Sequence, residues 1–81
     1  MKLPRNIGGN DLVRSLSIMG YLPVHQTGSH VRLKAIIDGT PHAITIPLHN
    51  PLRVGTLHGI LKDVAEHHHI PLSRLIDELF P

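Results

Sequence analysis

The sequence contains no cysteine and no tryptophan, and it has one tyrosine, Tyr21, and one phenylalanine, Phe80. Without cysteine, the chain has no disulfide framework and no thiolate metal site, and it fits a reducing compartment. Its core must be built from Leu, Ile, Val and Ala. No stretch approaches the roughly 20 apolar residues of a membrane span, and Lys2 and Arg5 are not followed by the apolar run of a signal peptide. We therefore expect a cytoplasmic protein without a membrane segment.

The length of the chain, 81 residues, predicts a single domain over residues 1–81. The hydrophobic content of 41% is typical of a folded protein and excludes a disordered tail. The formal net charge of +2 is only a weak indication of nucleic-acid binding, but eight histidines are unusual for this length.

Apolar residues recur with helical spacing in three segments. The first helix is predicted to start at a cap formed by Asn10 or Asp11 and to end before Gly20. The second is predicted to start at Thr56, and a break over 67–70 separates it from a short last helix that begins near Pro71. The apolar positions are Leu12, Leu16 and Met19, then Leu57, Ile60, Leu61, Val64 and Ala65, and finally Leu72, Leu75, Ile76 and Leu79.

Between the first two helices, apolar and polar residues alternate in three short runs, which predicts strands. Thr27-Gly28 and Asp38-Gly39 are two-residue turn signals between them. With these turns, Leu33 pairs with Ile44, and Val24 pairs with Val31. One face of the sheet then carries six apolar residues: Leu22, Val24, Val31, Leu33, Ile44 and Ile46.

Helices must cover this apolar face of the sheet. The expected fold is therefore α+β: a helix, a three-stranded antiparallel meander, a helix and a short extra C-terminal helix. The same register leaves the other face of the sheet open to solvent. That open face would carry His25, His30, Arg32, Lys34 and Thr45, with Tyr21 further out.

The open face is suited to contact with a phosphate backbone. His25 would lie directly across from His30, and His49 would lie near the same end. Arg32 and Lys34 can pair with phosphate oxygens, and a neutral imidazole can take a proton from a ribose 2′-hydroxyl. Polar residues are, however, expected on the outer face of a half-buried sheet whatever its function.

The remaining histidines favour plainer interpretations. His67, His68 and His69 are consecutive, so a helix would point them in three directions, and they match no i, i+4 metal pair. We expect a solvated helix end there and predict no metal site and no cofactor. His42 has the parity of Ile44 and is expected to be half-buried.

Three segments together resemble the HicA toxin family. They are the helix that leads through Met19-Gly20-Tyr21 into a strand, the signature Gly28-Ser29-His30, and Thr45-Ile46-Pro47-Leu48-His49 followed by Val54-Gly55-Thr56-Leu57. The resemblance covers a core of about 2–65. It implies a fold like that of double-stranded-RNA-binding domains, which agrees with the order of elements above.

The resemblance also implies a type II toxin that cleaves mRNA and is neutralised by a HicB-type antitoxin. The family's functional histidine corresponds to His30. We expect metal-independent cleavage with His30 as the general base, and RNA contacts from Ser29, Arg32, Lys34, His25 and His49. Either His25 or His49 could protonate the leaving oxygen. Two other classes stay open: a module of this fold that binds RNA without cutting it, and a histidine-rich metal binder. The extension over 66–81 could serve dimerisation, antitoxin contact or closure of the core.

Overall fold

The computed structural model describes residues 3–81, so Lys2, where the predicted core begins, lies outside the described residues. It confirms the α+β arrangement: helix, three-stranded antiparallel sheet and two further helices. Within the described residues no helix is both long and apolar enough to cross a bilayer. The elements are α1 (Gly9–Leu16), which continues into a 3₁₀ turn (Ser17–Met19), β1 (Leu22–Thr27), β2 (His30–Ile37), β3 (Thr40–Pro47), α2 (Val54–His67) and α3 (Leu72–Leu79).

Helix α1 begins earlier than predicted, because Gly8 takes the capping position instead of Asn10 or Asp11. Asp11 lies in the first turn, where its Oδ2 accepts a hydrogen bond from the Gly8 N–H at 3.0 Å. This bond satisfies one of the free N–H groups at the helix start. At the other end, the left-handed conformation predicted for Gly20 is confirmed, with φ of 89°.

The start of α1 lies directly against the end of β3. A Cβ on Gly9 would collide with the Pro47 carbonyl oxygen and would come within 2.7 Å of Leu48 Cα. The Gly9 N–H donates a hydrogen bond to the His49 carbonyl oxygen at 2.8 Å. Glycine is therefore needed at position 9 for the backbones to approach this closely.

The predicted pairing of β2 with β3 is confirmed. Leu33 pairs with Ile44, Val31 pairs with Ile46, and Ile37 pairs with Thr40. Asp38 and Gly39 have φ of 50° and 81°, which is the pair of positive angles that a type I′ hairpin turn requires.

The predicted pairing of β1 with β2 is wrong. The turn is Gly28-Ser29, not Thr27-Gly28, and a bulge between Pro23 and His25 shifts the register once more. Leu22 therefore pairs with Lys34. Leu22 and Val24 are 59% and 56% exposed, although their alternation predicted burial. Leu22 lies opposite the exposed Lys34 and Val24 lines a groove with Arg32 and Lys34, so the bulge has turned both side chains away from the helices.

The core lies between the sheet and the helices, and it is aliphatic except for Tyr21. That side chain is fully buried, so its predicted place on the open face is wrong. The physical reason is that Tyr21 precedes the bulge and that its hydroxyl contacts His42 and His68 on the helix side of the sheet.

Helix α2 also begins before the predicted cap Thr56, since Arg53 is the extended residue that precedes it. The fully buried side chains include Leu12, Leu16, Leu33, Ile46, Leu61, Val64 and Leu75.

Candidate functional site

His30 is the first residue of β2 and is exposed on the side of the sheet that faces away from the helices. Its neighbour Val31 is buried beneath the sheet, and strand alternation therefore directs His30 to the opposite side. We call this side the open face, as in the prediction, and define it by His25, His30, Arg32, Lys34 and Thr45. All five residues are exposed.

His49 is held beside His30 by two backbone hydrogen bonds. The Leu48 N–H donates to the Ser29 carbonyl at 2.6 Å, and the His49 carbonyl accepts from Gly9. The segment after β3 is thus tied both to the β1–β2 turn and to the start of α1. The His30 and His49 rings are 6.3 Å apart between centroids and nearly perpendicular, so the predicted proximity of these two histidines is confirmed.

Two cations follow His30 along the same face of β2. Residues two apart on a strand are separated by about 6.6 Å, so His30, Arg32 and Lys34 form a row. Arg32 is paired with Thr45 of β3, and both are exposed. The row therefore offers one imidazole and two positive charges to a ligand that lies along the strand.

His25 is on the open face but is not the direct neighbour of His30. It pairs with Arg32, and Thr27 takes the position across from His30. The His25 Nε2 lies 2.8 Å from the Thr27 hydroxyl. The expected pair of His25 and His30 is wrong because the turn lies one residue later than predicted, which moves His25 by two residues along β2.

The end of the open face that is distant from His30 is apolar. Leu22, Val24 and Ile36 are exposed there, and Ile36 is 65% accessible. Val24 also contributes to a shallow groove next to the cations, lined by Val24, Arg32, Lys34, Pro41 and Ala43. We call the exposed side chains of Leu22, Val24 and Ile36 the apolar end.

Residues 9–65 match the family described as HicA toxin of bacterial toxin–antitoxin. The chain belongs to the HicA toxin family. The match covers more than half of the chain and includes both His30 and His49. No curated protein and no solved structure gives a significant match to this sequence.

A second polar cluster of this HicA-family chain lies on the helix side of the sheet. The Tyr21 hydroxyl is 2.7 Å from His42 Nδ1 and 3.1 Å from His68 Nε2. His42 Nε2 is 3.2 Å from Asp63 Oδ2. Burial, with a smaller effect of the Asp63 charge, raises the pKa of Tyr21 to about 12, so its hydroxyl keeps its proton at neutral pH.

His68 belongs to the same cluster and does not point into solvent as the prediction for the helix end implied. Burial is the main cause that lowers its pKa below 6.5, and the nearby His42 and His67 act in the same direction. Asp38 and Glu78 oppose the shift. A neutral imidazole is therefore favoured where His68 meets Tyr21.

The sequence analysis missed this cluster. Its one local signal is the spacing of Asp63 and His67, which are four residues apart and so lie on the same side of α2. His42 was predicted to be half-buried, and it is buried more completely than that, with 7% of the residue exposed.

Proposed function

We propose that this HicA-family toxin is an endoribonuclease that cleaves mRNA at the open face. The observation that carries the proposal is the exposed imidazole of His30, in a row with Arg32 and Lys34 and with His49 beside it. Such a toxin acts in the cytoplasm, where its substrate is. The family relationship supports the toxin role, and the geometry of the open face supports the chemistry.

In the proposed reaction, His30 acts as the general base. It takes the proton of a ribose 2′-hydroxyl, whose oxygen attacks the adjacent phosphorus. The bond from phosphorus to the 5′ oxygen breaks, which gives a 2′,3′-cyclic phosphate and a 5′-hydroxyl. Histidine side chains would supply the base and the acid, and Arg32 and Lys34 the positive charge, so we expect cleavage to proceed without a metal ion.

His49 is the proposed general acid, which donates its proton to the departing 5′ oxygen. The choice between His49 and His25 follows from position, because the His49 ring lies next to that of His30, whereas His25 is placed beside Arg32. Two imidazoles that flank a phosphate, one near the 2′ oxygen and the other near the departing 5′ oxygen, can remove and supply a proton in the same turnover.

Arg32 and Lys34 are proposed to hold phosphate oxygens and to offset the charge that develops in the transition state. Ser29 and His25 are proposed to contact the RNA at the edge of the site. Ser29 has a second role, since its carbonyl fixes the segment that carries His49.

Incubation of a synthetic RNA with the purified protein in EDTA tests the proposed activity. Cleavage, seen on a denaturing gel, is the expected result. The alternative is a module of the same fold that binds RNA by shape. A filter-binding assay on the same RNA distinguishes the two, because a binding module holds the RNA on the filter and leaves it uncut.

We also propose that a HicB-type antitoxin covers the open face. The apolar end supports this part of the proposal, since exposed apolar side chains that lie together mark protein interaction sites. A partner seated on Leu22, Val24 and Ile36 would extend towards His30 along β2 and would keep RNA away from it.

Ile36→Asp is expected to prevent neutralisation while RNA cleavage continues. The substitution places a charge in the proposed interface, where an unpaired buried charge is unfavourable. The measurement is growth of cells that express each toxin variant together with the HicB-type protein expected to be encoded beside it. Ile18→Asp is the matched control, because Ile18 is 68% exposed in the turn after α1. Neutralisation of Ile36→Asp as complete as that of the control would contradict the proposed interface.

A further inference from the structure

Three side chains on the helix side of the sheet direct nitrogen and oxygen atoms towards one another: His42 of β3, and Asp63 and His67 of α2. His42 Nε2 is 3.2 Å from Asp63 Oδ2, and His67 Nδ1 is 3.1 Å from Asp63 Oδ1. One donor atom from each of the three residues lies within 4.8 Å of the other two. These residues belong to the helix-covered side of the sheet, and the activity proposed for the open face does not use them.

The separations between these atoms suit a first-row transition metal. Zinc bonds to histidine nitrogen and carboxylate oxygen are about 2.0–2.2 Å long, which puts neighbouring ligand atoms of a tetrahedral site roughly 3.3 Å apart. The pairs His42 Nε2–Asp63 Oδ2 and His67 Nδ1–Asp63 Oδ1 have nearly this spacing, each to a different oxygen of the carboxylate, so either oxygen already lies at ligand distance from one imidazole. Two imidazoles with one carboxylate bind zinc and other first-row metals, whereas magnesium and calcium prefer oxygen ligands alone.

His42 also has the outer partner that metal-bound histidines usually have. Its Nδ1 lies 2.7 Å from the hydroxyl of Tyr21, a fully buried residue. A hydrogen bond at the second ring nitrogen fixes the tautomer and the orientation of a ligating histidine. Tyr21 can accept a hydrogen bond from His42 Nδ1–H and donate its own to His68 Nε2, 3.1 Å away.

The alternative to a metal site is a network of hydrogen bonds only. In that arrangement His42 Nε2 carries the proton and donates to Asp63, Tyr21 donates to His42 Nδ1, and His68 donates to Tyr21. The arrangement with the proton on Nδ1 instead turns the lone pair of His42 Nε2 towards the Asp63 carboxylate. The lone pair of His42 Nε2 and the Asp63 carboxylate repel each other, which disfavours this tautomer. A cation bound between them removes the repulsion.

We propose that His42, Asp63 and His67 bind Zn²⁺ through Nε2, a carboxylate oxygen and Nδ1, with water as the remaining ligand. The His42 and His67 rings are stacked at 3.6 Å and must incline towards a shared ion. His67 Nδ1 also lies 2.9 Å from the Asp63 backbone carbonyl oxygen, and metal binding would replace this hydrogen bond. His67 can turn because its side chain is 48% exposed. Asp38 and Glu66 line a pocket together with His42 and His67, and their carboxylates add negative charge near the proposed ion.

The bound ion would tie β3 to the end of α2. His67 and His68 follow residue 65, at which the family match ends. The site therefore joins the sheet of the HicA core to the C-terminal extension, and its function is to stabilise that junction. The inference does not rest on the proposed ribonuclease activity.

Titration of ZnCl₂ into the full chain without a polyhistidine tag, followed by calorimetry, tests the proposal. We expect one ion per chain and a rise in melting temperature with zinc, since an ion that binds only the folded state stabilises it. Asp63→Asn and His67→Ala are expected to weaken binding by at least about tenfold. Tyr21→Phe, which keeps the buried ring, is expected to weaken it by about 10–100-fold, as for other outer partners of metal ligands.

Two histidine variants serve as controls. His58→Ala changes an exposed residue of the same helix and should bind zinc like the unaltered chain. His69→Ala tests whether the run of three histidines captures the ion by itself. Equal binding by Asp63→Asn and the unaltered chain, or a loss with His69→Ala as large as that with His67→Ala, would overturn the assignment. Circular dichroism of each variant confirms that it is folded.

Discussion

His30→Ala is expected to lower the rate of RNA cleavage by about 10²–10⁴-fold, which is the usual contribution of a positioned general base. The fold should be unaffected, because His30 is exposed at the start of β2 and the side chain does not contribute to the core. RNA binding should be largely kept, since Arg32 and Lys34 remain. The rate is measured with purified protein and synthetic RNA, and growth arrest on expression gives the corresponding result in cells.

The matched control for this variant is His58→Ala. His58 is also an exposed histidine, but it lies on α2 and away from the open face. It should cleave RNA at the rate of the unaltered chain. Cleavage by His30→Ala at the same rate would reject the general-base role.

Leu33→Ala is expected to lower the free energy of unfolding by about 2–5 kcal/mol, the usual cost of removing a buried leucine side chain. Leu33 is in the centre of β2 and is fully buried beneath the sheet. A loss of this size is a large part of the stability of a small domain. Denaturant unfolding followed by circular dichroism measures it.

Leu22→Ala is the comparison that tests the register of β1. Because Leu22 is 59% exposed, its truncation should change the free energy of unfolding by no more than about 0.5 kcal/mol. The register predicted from alternation placed Leu22 beside Leu33 in the core. Equal losses for the two variants would support that register and contradict the bulge in β1.

The difference between the two hairpins shows which parts of the sheet could be predicted. Asp38-Gly39 is a specific turn signal because both residues must have positive φ, and the pairing derived from it is confirmed. Thr27-Gly28-Ser29 contains one glycine and allows more than one two-residue turn. Moving this turn by one residue changes which residues pair but keeps them on the same faces, whereas the extra residue at the Val24 bulge reverses the faces before it, so Leu22 lies opposite Lys34.

Tyr21 illustrates a limit of a different kind. Alternation in β1 gives no information about a residue that precedes the bulge. The burial of its hydroxyl depends on His42 and His68, which come from β3 and from the residue after α2. Contacts between such distant parts of the chain leave no periodic signal in the sequence.

The open face could be predicted from the sequence, whereas the cluster of His42, Asp63 and His67 could not. The row of His30, Arg32 and Lys34 lies within one strand, so alternation alone predicted that these residues share a face. The family signature then singled out His30. The cluster of His42, Asp63 and His67 depends on how α2 packs over β3, and only its Asp63–His67 spacing is visible in the sequence.

The most direct test of the proposed RNA cleavage is the requirement for the attacking hydroxyl. An RNA oligonucleotide is compared with the same oligonucleotide that carries a single 2′-deoxynucleotide at the cleaved position, and the product ends are identified by mass spectrometry. We predict 2′,3′-cyclic phosphate and 5′-hydroxyl ends from the RNA, and no cut at the deoxy position. Equal cutting of both oligonucleotides, or products with 5′-phosphate ends, would contradict the chemistry assigned to His30.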